Sequence, residues 1–93
     1  PAWVKVVRTY VEGLGIRVIE APLPNGLPDP EWLQSNVGAA TGVVAVQQPS
    51  FFGTLQDLKS LGDLAHAAGA LLVAASNPIP LGLLESPGAL GAD

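Results

Sequence analysis

Two short polar stretches in this sequence follow apolar segments that are typical of buried β-strands. Amides, hydroxyls and aromatic rings at the carboxyl ends of parallel strands are the groups that bind ligands in open α/β sheets. The candidate residues for such a ligand edge, or for a subunit interface at the same place, are Gln47, Gln48, Ser50, Phe51, Phe52, Ser76 and Asn77. The alternative is an ordinary loop whose two phenylalanines fold back onto the core, and the two interpretations have similar weight.

The same edge lacks the groups that acid–base or nucleophilic chemistry requires. Val73, Ala74 and Ala75 bring no charge to it, and no Lys, His or Asp lies nearby in sequence to activate Ser76. The chain has no cysteine and a single histidine, so neither a thiolate metal site nor a histidine cluster is available. We therefore predict no catalytic residue and no metal ligand in this chain.

The remaining titratable residues have structural interpretations. His66 is placed in the last turn of a predicted helix, where it would interact favourably with the negative end of the helix dipole. Lys59 and Asp63 are spaced to pair across one turn of that helix. Glu85 and Asp93 stand alone in the sequence, and we expect both to be solvated.

Size and composition indicate part of a larger fold. The chain has 93 residues, of which 48% are hydrophobic and 13% charged, against about 25% charged in typical soluble domains. A small domain has proportionally more surface to solvate, so we expect much of this surface to be covered by other protein. We predict that residues 1–93 form a single fragment of a larger α/β domain, truncated at both ends, without a linker or a second domain.

Charge and hydropathy disfavour several partners. The net charge is −4 and no basic cluster exists, which makes nucleic acid and anionic membrane surfaces poor partners. No apolar run approaches the ~18 residues of a membrane-spanning helix, and no signal peptide is visible. The absence of cysteine suits a reducing cytoplasm.

Hydrophobic spacing predicts the elements of the first half of the chain. Apolar residues at three- and four-residue intervals predict a helix over residues 1–14, with Pro1 in its first turn. The β-branched run Ile16–Ile19 predicts a first strand. After a proline-rich loop with the turn signal Asn25-Gly26, Asp29 is predicted to cap a short helix over Glu31–Val37.

In the second half, the continuous apolar run Val43–Val46 predicts a parallel strand covered on both faces. A helix over Thr54–Ala68 follows, with Thr54 as its cap, and then a strand over residues 70–76. The order α-β-α-β-α-β requires parallel strands with crossover helices. The predicted fold class is therefore α/β, the central part of a three-layer αβα doubly wound sheet.

Long stretches of this chain resemble a known family. They are VVAVQQPSFFGTLQDL and LGDLAHAAGALLVAASNPIPLGLLESPGALGAD, with VVRTYVEGLGIRVIEAPLPNG before them. The resemblance is to the P-protein family of the glycine cleavage system, in the bacterial form called subunit 1 of glycine dehydrogenase (decarboxylating). QQPSFFG and SNPIPLGLL are fairly specific to this subunit, whereas AHAAGALLV is shared widely among fold-type-I pyridoxal-phosphate enzymes.

The resemblance implies a large fold-type-I domain in an enzyme of two related halves that assemble as a heterotetramer. That enzyme decarboxylates glycine on pyridoxal phosphate and passes the aminomethyl group to the lipoyl H-protein. The catalytic half has an Asp that steadies the pyridine nitrogen, and the matching position here is Ala74. It has an Asn where this chain has Gln48, and the Schiff-base Lys would fall beyond Asp93.

These differences imply the non-catalytic subunit, with pyridoxal phosphate held only by the catalytic subunit 2 and none bound by this chain. The physical argument agrees, because the cofactor's electron-sink role depends on a carboxylate near its ring nitrogen. Two alternatives stay open. One is a fragment of a competent pyridoxal-phosphate enzyme that takes its acid from elsewhere, and the other is a non-enzymatic α/β interaction module.

Overall fold

Two parallel strands and the helix that connects them form the centre of the protein. The computed structural model describes residues 2–93, and β1 (Val43–Gln48) pairs with β2 (Leu71–Ser76). The register places Val43 beside Leu71 and Gln48 beside Ser76. Before the sheet come two helices, α1 (Ala2–Val11) and α2 (Pro30–Asn36). The connecting helix is α3 (Leu58–Ala67), and a 3₁₀ helix (Ile79–Gly82) follows β2. The prediction of parallel strands with a crossover helix is confirmed.

The core lies between α3 and one face of the sheet. Leu61 and Ala65 of α3 are buried against Leu72 of β2, and Leu33 of α2 joins the same cluster. The side chains of a strand alternate between faces, so Val43, Leu71 and Val73 point to the opposite face, where each stays about half exposed. Within residues 2–93, the predicted covering on both faces of β1 is therefore incomplete, because Val43 and Ala45 on the second face stay exposed.

The end of α1 and the start of α3 differ from their predicted positions. Helix α1 ends at Val11, and residues 12–15 form turns instead of a further helical turn. Helix α3 begins at Leu58, because the Asp57 carboxylate accepts the Ser60 N–H at 3.1 Å and so caps the helix. The prediction of Thr54 as the cap is therefore wrong. Asp29 caps α2 as predicted, accepting from Glu31 N at 3.0 Å. The placement of Pro1 lies outside the described residues.

The predicted strand over Ile16–Ile19 is wrong. Residues 16–23 have no regular secondary structure, and an ion pair of 2.8 Å between Arg8 and Glu20 ties this segment to α1. A β-branched run indicates a surface suited to a strand, but a strand also needs a neighbour to pair with. No strand within residues 2–93 lies beside this segment.

The C-terminal segment returns to the sheet through Asp93. Its backbone N–H donates to the Leu72 carbonyl at 2.9 Å, and its carboxylate accepts the Leu72 N–H, also at 2.9 Å. The same carboxylate oxygen lies 2.8 Å from His66 Nε2. The expectation of a solvated Asp93 is confirmed, since its side chain is 37% exposed, but Asp93 is not isolated, because Leu72 and His66, both distant in sequence, hydrogen-bond to it. Lys59 and Asp63 pair at 3.1 Å as predicted.

Helix α3 approaches the C-terminal segment closely at Gly62. A methyl group built on Gly62 would lie 3.2 Å from the Gly91 carbonyl oxygen. This is tighter than an ordinary contact of a methyl group, so a side chain at residue 62 would make the two backbones move apart by a few tenths of an ångström. Within residues 2–93, none of the helices has the length and hydropathy needed to cross a bilayer.

The side chain of Leu72 is fully buried, so truncating it should leave a cavity. We expect Leu72→Ala to lower the free energy of unfolding by about 2–5 kcal/mol in urea titrations. Leu83→Ala is the control, since Leu83 is 96% exposed and should cost less than about 0.5 kcal/mol. Equal losses for the two variants would contradict the placement of the core.

The pKa of Asp93 lies below its ordinary value of 3.8, because His66 and the Leu72 N–H hydrogen-bond to the carboxylate. A carboxyl group with a lowered pKa contributes stability above its unfolded-state pKa, and this is lost as pH falls through the folded-state pKa. Asp93→Asn should therefore flatten the fall in unfolding free energy below about pH 4. Unchanged pH dependence in urea titrations of the variant would contradict this role.

Candidate functional site

The candidate site is the edge of the sheet where β1 and β2 both end. The register brings Gln47 beside Ala75 and Gln48 beside Ser76. After β1, the loop of residues 49–57 leads from this edge to α3. After β2, the chain continues from the same edge into the 3₁₀ helix. The structure therefore brings the two predicted polar stretches to one edge, as parallel pairing requires.

The amide of Gln48 is used to close the loop after β1. Its Oε1 accepts the Gln56 N–H at 2.7 Å, and its Nε2 donates to the Gln56 carbonyl at 3.4 Å. One side chain thus satisfies both backbone groups of a residue at the far end of the loop. These bonds fix the orientation of the Gln48 amide and use one of the two acceptor sites on Oε1 and one of the two N–H groups on Nε2.

The hydroxyls of Ser50 and Thr54 form a chain of hydrogen bonds inside the same loop. Thr54 Oγ1 donates to the Gly26 carbonyl at 2.9 Å, so its single proton is committed there. Ser50 therefore donates to Thr54 Oγ1. Ser50 Oγ in turn accepts the N–H groups of Phe52 and Thr54, each at 3.2 Å. This arrangement stiffens the loop and ties it to the proline-rich segment that contains Gly26.

The stiffened loop displays both phenylalanines at the surface. Phe51 is 80% exposed and Phe52 66%, and their rings meet edge to face with centroids 5.6 Å apart. The interpretation in which both rings fold back onto the core is wrong within the described residues. Exposed aromatic pairs on an ordered loop are typical of surfaces that meet another protein surface.

The other candidate residues are also engaged or turned inward. Gln47 Oε1 accepts from Trp3 Nε1 at 3.2 Å, which joins α1 to this edge. Asn77 Oδ1 accepts the Ile79 N–H at 3.0 Å and shapes the turn after β2. Ser76 Oγ is buried without a hydrogen-bond partner among residues 2–93.

The acidic residue of the loop after β1 is Asp57, whose carboxylate caps α3 by accepting from Ser60. Within residues 2–93, the two lysines are Lys5, exposed on α1, and Lys59, paired with Asp63 on α3. No group of three or more His, Cys, Asp or Glu residues in this part of the chain could hold a metal ion. The Ala74 side chain faces α3, and Ala75 lies on the opposite face of β2. The residues at the strand ends themselves, Gln47, Gln48, Ala75 and Ser76, carry neither a carboxylate nor an amine.

The model of the family described as "Glycine cleavage system P-protein" matches residues 1–93. This chain belongs to the glycine cleavage system P-protein family. One relative, from Geotalea uraniireducens (strain Rf4), is 46% identical over 89 residues, which is 96% of this chain and 20% of the relative. Another, from Desulfitobacterium hafniense (strain DSM 10664 / DCB-2), is 43% identical over 93 residues, or 100% of this chain and 21% of the relative. Both are named probable glycine dehydrogenase (decarboxylating) subunit 1.

The fold of this P-protein chain also matches a solved structure. A crystal structure of glycine decarboxylase (P-protein) of the glycine cleavage system, in inhibitor-bound form, superposes with a TM-score of 0.89 at 44% identity. The match covers 100% of this chain and 20% of that one. The chain thus spans about a fifth of the length of the relatives it matches, and the resemblance to the P-protein family is confirmed.

Sequence reasoning did not find three contacts of this part of the P-protein. They are the bonds from Trp3 to Gln47, from Thr54 to Gly26, and from His66 to Asp93. Each joins residues at least 27 positions apart. The residue types in each pair are complementary, but nothing in the local pattern indicates which distant partner is chosen.

The Thr54 hydroxyl can be tested directly. Thr54→Val removes the donor to the Gly26 carbonyl and the acceptor of the Ser50 hydroxyl proton, so the unfolding free energy should fall by about 1–3 kcal/mol. Amide hydrogen exchange should also accelerate at Phe52 and Thr54. Thr54→Ser keeps the hydroxyl and is the matched control. Indistinguishable Val and Ser variants would contradict the hydrogen-bond chain.

Proposed function

We propose that this chain is part of the non-catalytic, cofactor-free subunit of glycine decarboxylase, within its large α/β domain. Its catalytic partner would be subunit 2, which holds pyridoxal phosphate, and the pair would transfer the aminomethyl group of glycine to the lipoyl H-protein. The observation that carries this proposal is the carboxyl edge of the sheet. The polar side chains of Gln47, Gln48, Ser50 and Asn77 are engaged within the chain itself.

The residues at this edge do not fit pyridoxal phosphate. The coenzyme needs a carboxylate near its ring nitrogen and a lysine for its aldehyde. Ala74 offers a methyl group that faces α3, and Ala75 on the other face is equally uncharged. Gln48, in the position where the resemblance places an Asn in the catalytic half, is bound to the backbone of Gln56. No step of the chemistry is therefore assigned to this chain.

The surface of the loop supports a role in assembly. Residues 50–54 are ordered by internal hydrogen bonds, and the loop exposes Phe51 and Phe52. The relatives carry the designation subunit 1, which implies a second subunit. We infer that this chain contributes to the scaffold on which the catalytic subunit is held.

The proposal is tested by mixing the purified protein with pyridoxal phosphate, with and without the catalytic subunit. Alone, the protein should show no absorption band of an internal aldimine that survives dialysis. Lys5→Arg/Lys59→Arg controls for adventitious Schiff bases on these two lysines. A dialysis-stable band from the protein alone, retained in this double variant, would favour a competent pyridoxal-phosphate enzyme instead.

The second test measures the exchange of the glycine carboxyl group with bicarbonate. The reconstituted pair should exchange the glycine carboxyl group with bicarbonate, whereas either protein alone should show much less exchange. Equal exchange by the catalytic subunit alone would contradict a requirement for this chain. Lack of exchange by the pair, under conditions where the two co-purify, would overturn the assignment to glycine decarboxylase.

A further inference from the structure

The turn that receives the Thr54 hydroxyl contains an exposed asparagine followed by glycine. Gly26 N–H donates to the Leu23 carbonyl at 3.2 Å, which closes the turn. Asn25 is exposed at this turn, and Gly26 has a φ of +74°, which glycine adopts at little cost. The Gly26 carbonyl is the acceptor for Thr54 Oγ1. A chemical change at Asn25 would therefore act on a turn that is hydrogen-bonded to the loop of residues 50–54, which carries the two phenylalanines.

Asparagine followed by glycine is chemically reactive. The backbone nitrogen of Gly26 can attack the side-chain amide carbon of Asn25, because glycine has no Cβ to shield that nitrogen. A C–N bond forms to this carbon, its bond to Nδ2 breaks, and ammonia leaves with the proton lost by the attacking nitrogen. Water then opens the cyclic imide at either carbonyl, which yields aspartate or isoaspartate.

The other two asparagines of the chain lack this combination. Asn77 precedes Pro78, which has no backbone N–H to give up. Asn36 precedes the β-branched Val37, and its Nδ2 donates to the Trp32 carbonyl at 2.8 Å. The following residue, the exposure of Asn25 and the hydrogen bond of Asn36 thus single out Asn25, and the other two positions serve as internal controls.

We propose that Asn25 is a site of spontaneous deamidation, and that its isoaspartate product releases the loop of residues 50–54 from Gly26. Isoaspartate adds one methylene to the backbone between residues 25 and 26 and adds a negative charge. The Gly26 carbonyl then moves away from Thr54 Oγ1. Gly26 also sits close to Phe52, since a methyl group built on it would lie 3.6 Å from that ring, so the displacement reaches the exposed aromatic pair. This inference does not depend on the assignment to glycine decarboxylase.

The test is to age the purified protein at mildly alkaline pH and map deamidation by peptide mass spectrometry. Asn25 should deamidate at least several-fold faster than Asn36 or Asn77, and isoaspartyl methyltransferase should label the Asn25 peptide. Limited chymotrypsin digestion then measures access to Phe51 and Phe52. Aged protein should be cleaved at these residues several-fold faster than fresh protein.

Two variants distinguish the effect of the lengthened isoaspartate backbone from the effect of the added negative charge. Asn25→Gln forms the cyclic imide far less readily, so the cleavage rate should stay unchanged on ageing. Asn25→Asp adds the charge without lengthening the backbone, so the fresh variant should be cleaved at nearly the rate of fresh wild type. Equal deamidation at all three asparagines would overturn the site. Deamidation at Asn25 without faster cleavage, or equal acceleration in aged Asn25→Gln, would overturn the release of the loop.

Discussion

The rest of this structure depends on Leu72, because its side chain is buried and both of its backbone polar groups are hydrogen-bonded to Asp93. Its side chain is fully buried against α3, while its N–H and C=O are both bound by Asp93. One residue thus links the sheet, the connecting helix and the C-terminal segment. Because His66 at the end of α3 contacts the same carboxylate, the segment is held at β2 and at α3 together. The approach of Gly62 to Gly91 follows from that arrangement.

At the carboxyl edge of the sheet, polar side chains stabilise a loop of the protein itself. In open α/β sheets this is where ligands gather. Here the amide of Gln48 closes a loop and the hydroxyls of Ser50 and Thr54 bridge to a neighbouring turn. Polar groups that in an active site would face a substrate are instead satisfied by backbone. The result is an ordered loop that carries two exposed aromatic rings.

Periodicity and capping signals were sufficient to predict the elements with strong local patterns. The runs before Gln47 and Ser76 became the paired strands, and Asp29 caps α2. The Ile16–Ile19 strand failed because β-branched spacing indicates a suitable surface but not the neighbour that a strand must pair with. The start of α3 shifted to Leu58 because Asp57 caps the helix, while the Thr54 hydroxyl binds the Gly26 carbonyl, 28 positions away in sequence.

The candidate site could also be predicted from local sequence patterns only in part. Its location at the strand ends followed from topology, and the absence of charge there was visible in the residue types. What the side chains do could not be inferred locally. The amide of Gln48 could equally have faced a ligand, and only the folded loop shows it bound to Gln56. The pair of His66 and Asp93 joins two residues whose local sequences favoured solvation or a dipole contact.

The position of Asp93 also has a consequence for self-association. A bare strand edge invites another chain to add to it, and the outer edge of β2 is such an edge within residues 2–93. Asp93 occupies the N–H and C=O of Leu72 and places a carboxylate there. An intruding strand would have to begin beyond Leu72, where alternation leaves only Ala74 and Ser76 facing outward. Within residues 2–93, a strand added along this edge would therefore find the outward backbone groups of Leu72 already bonded.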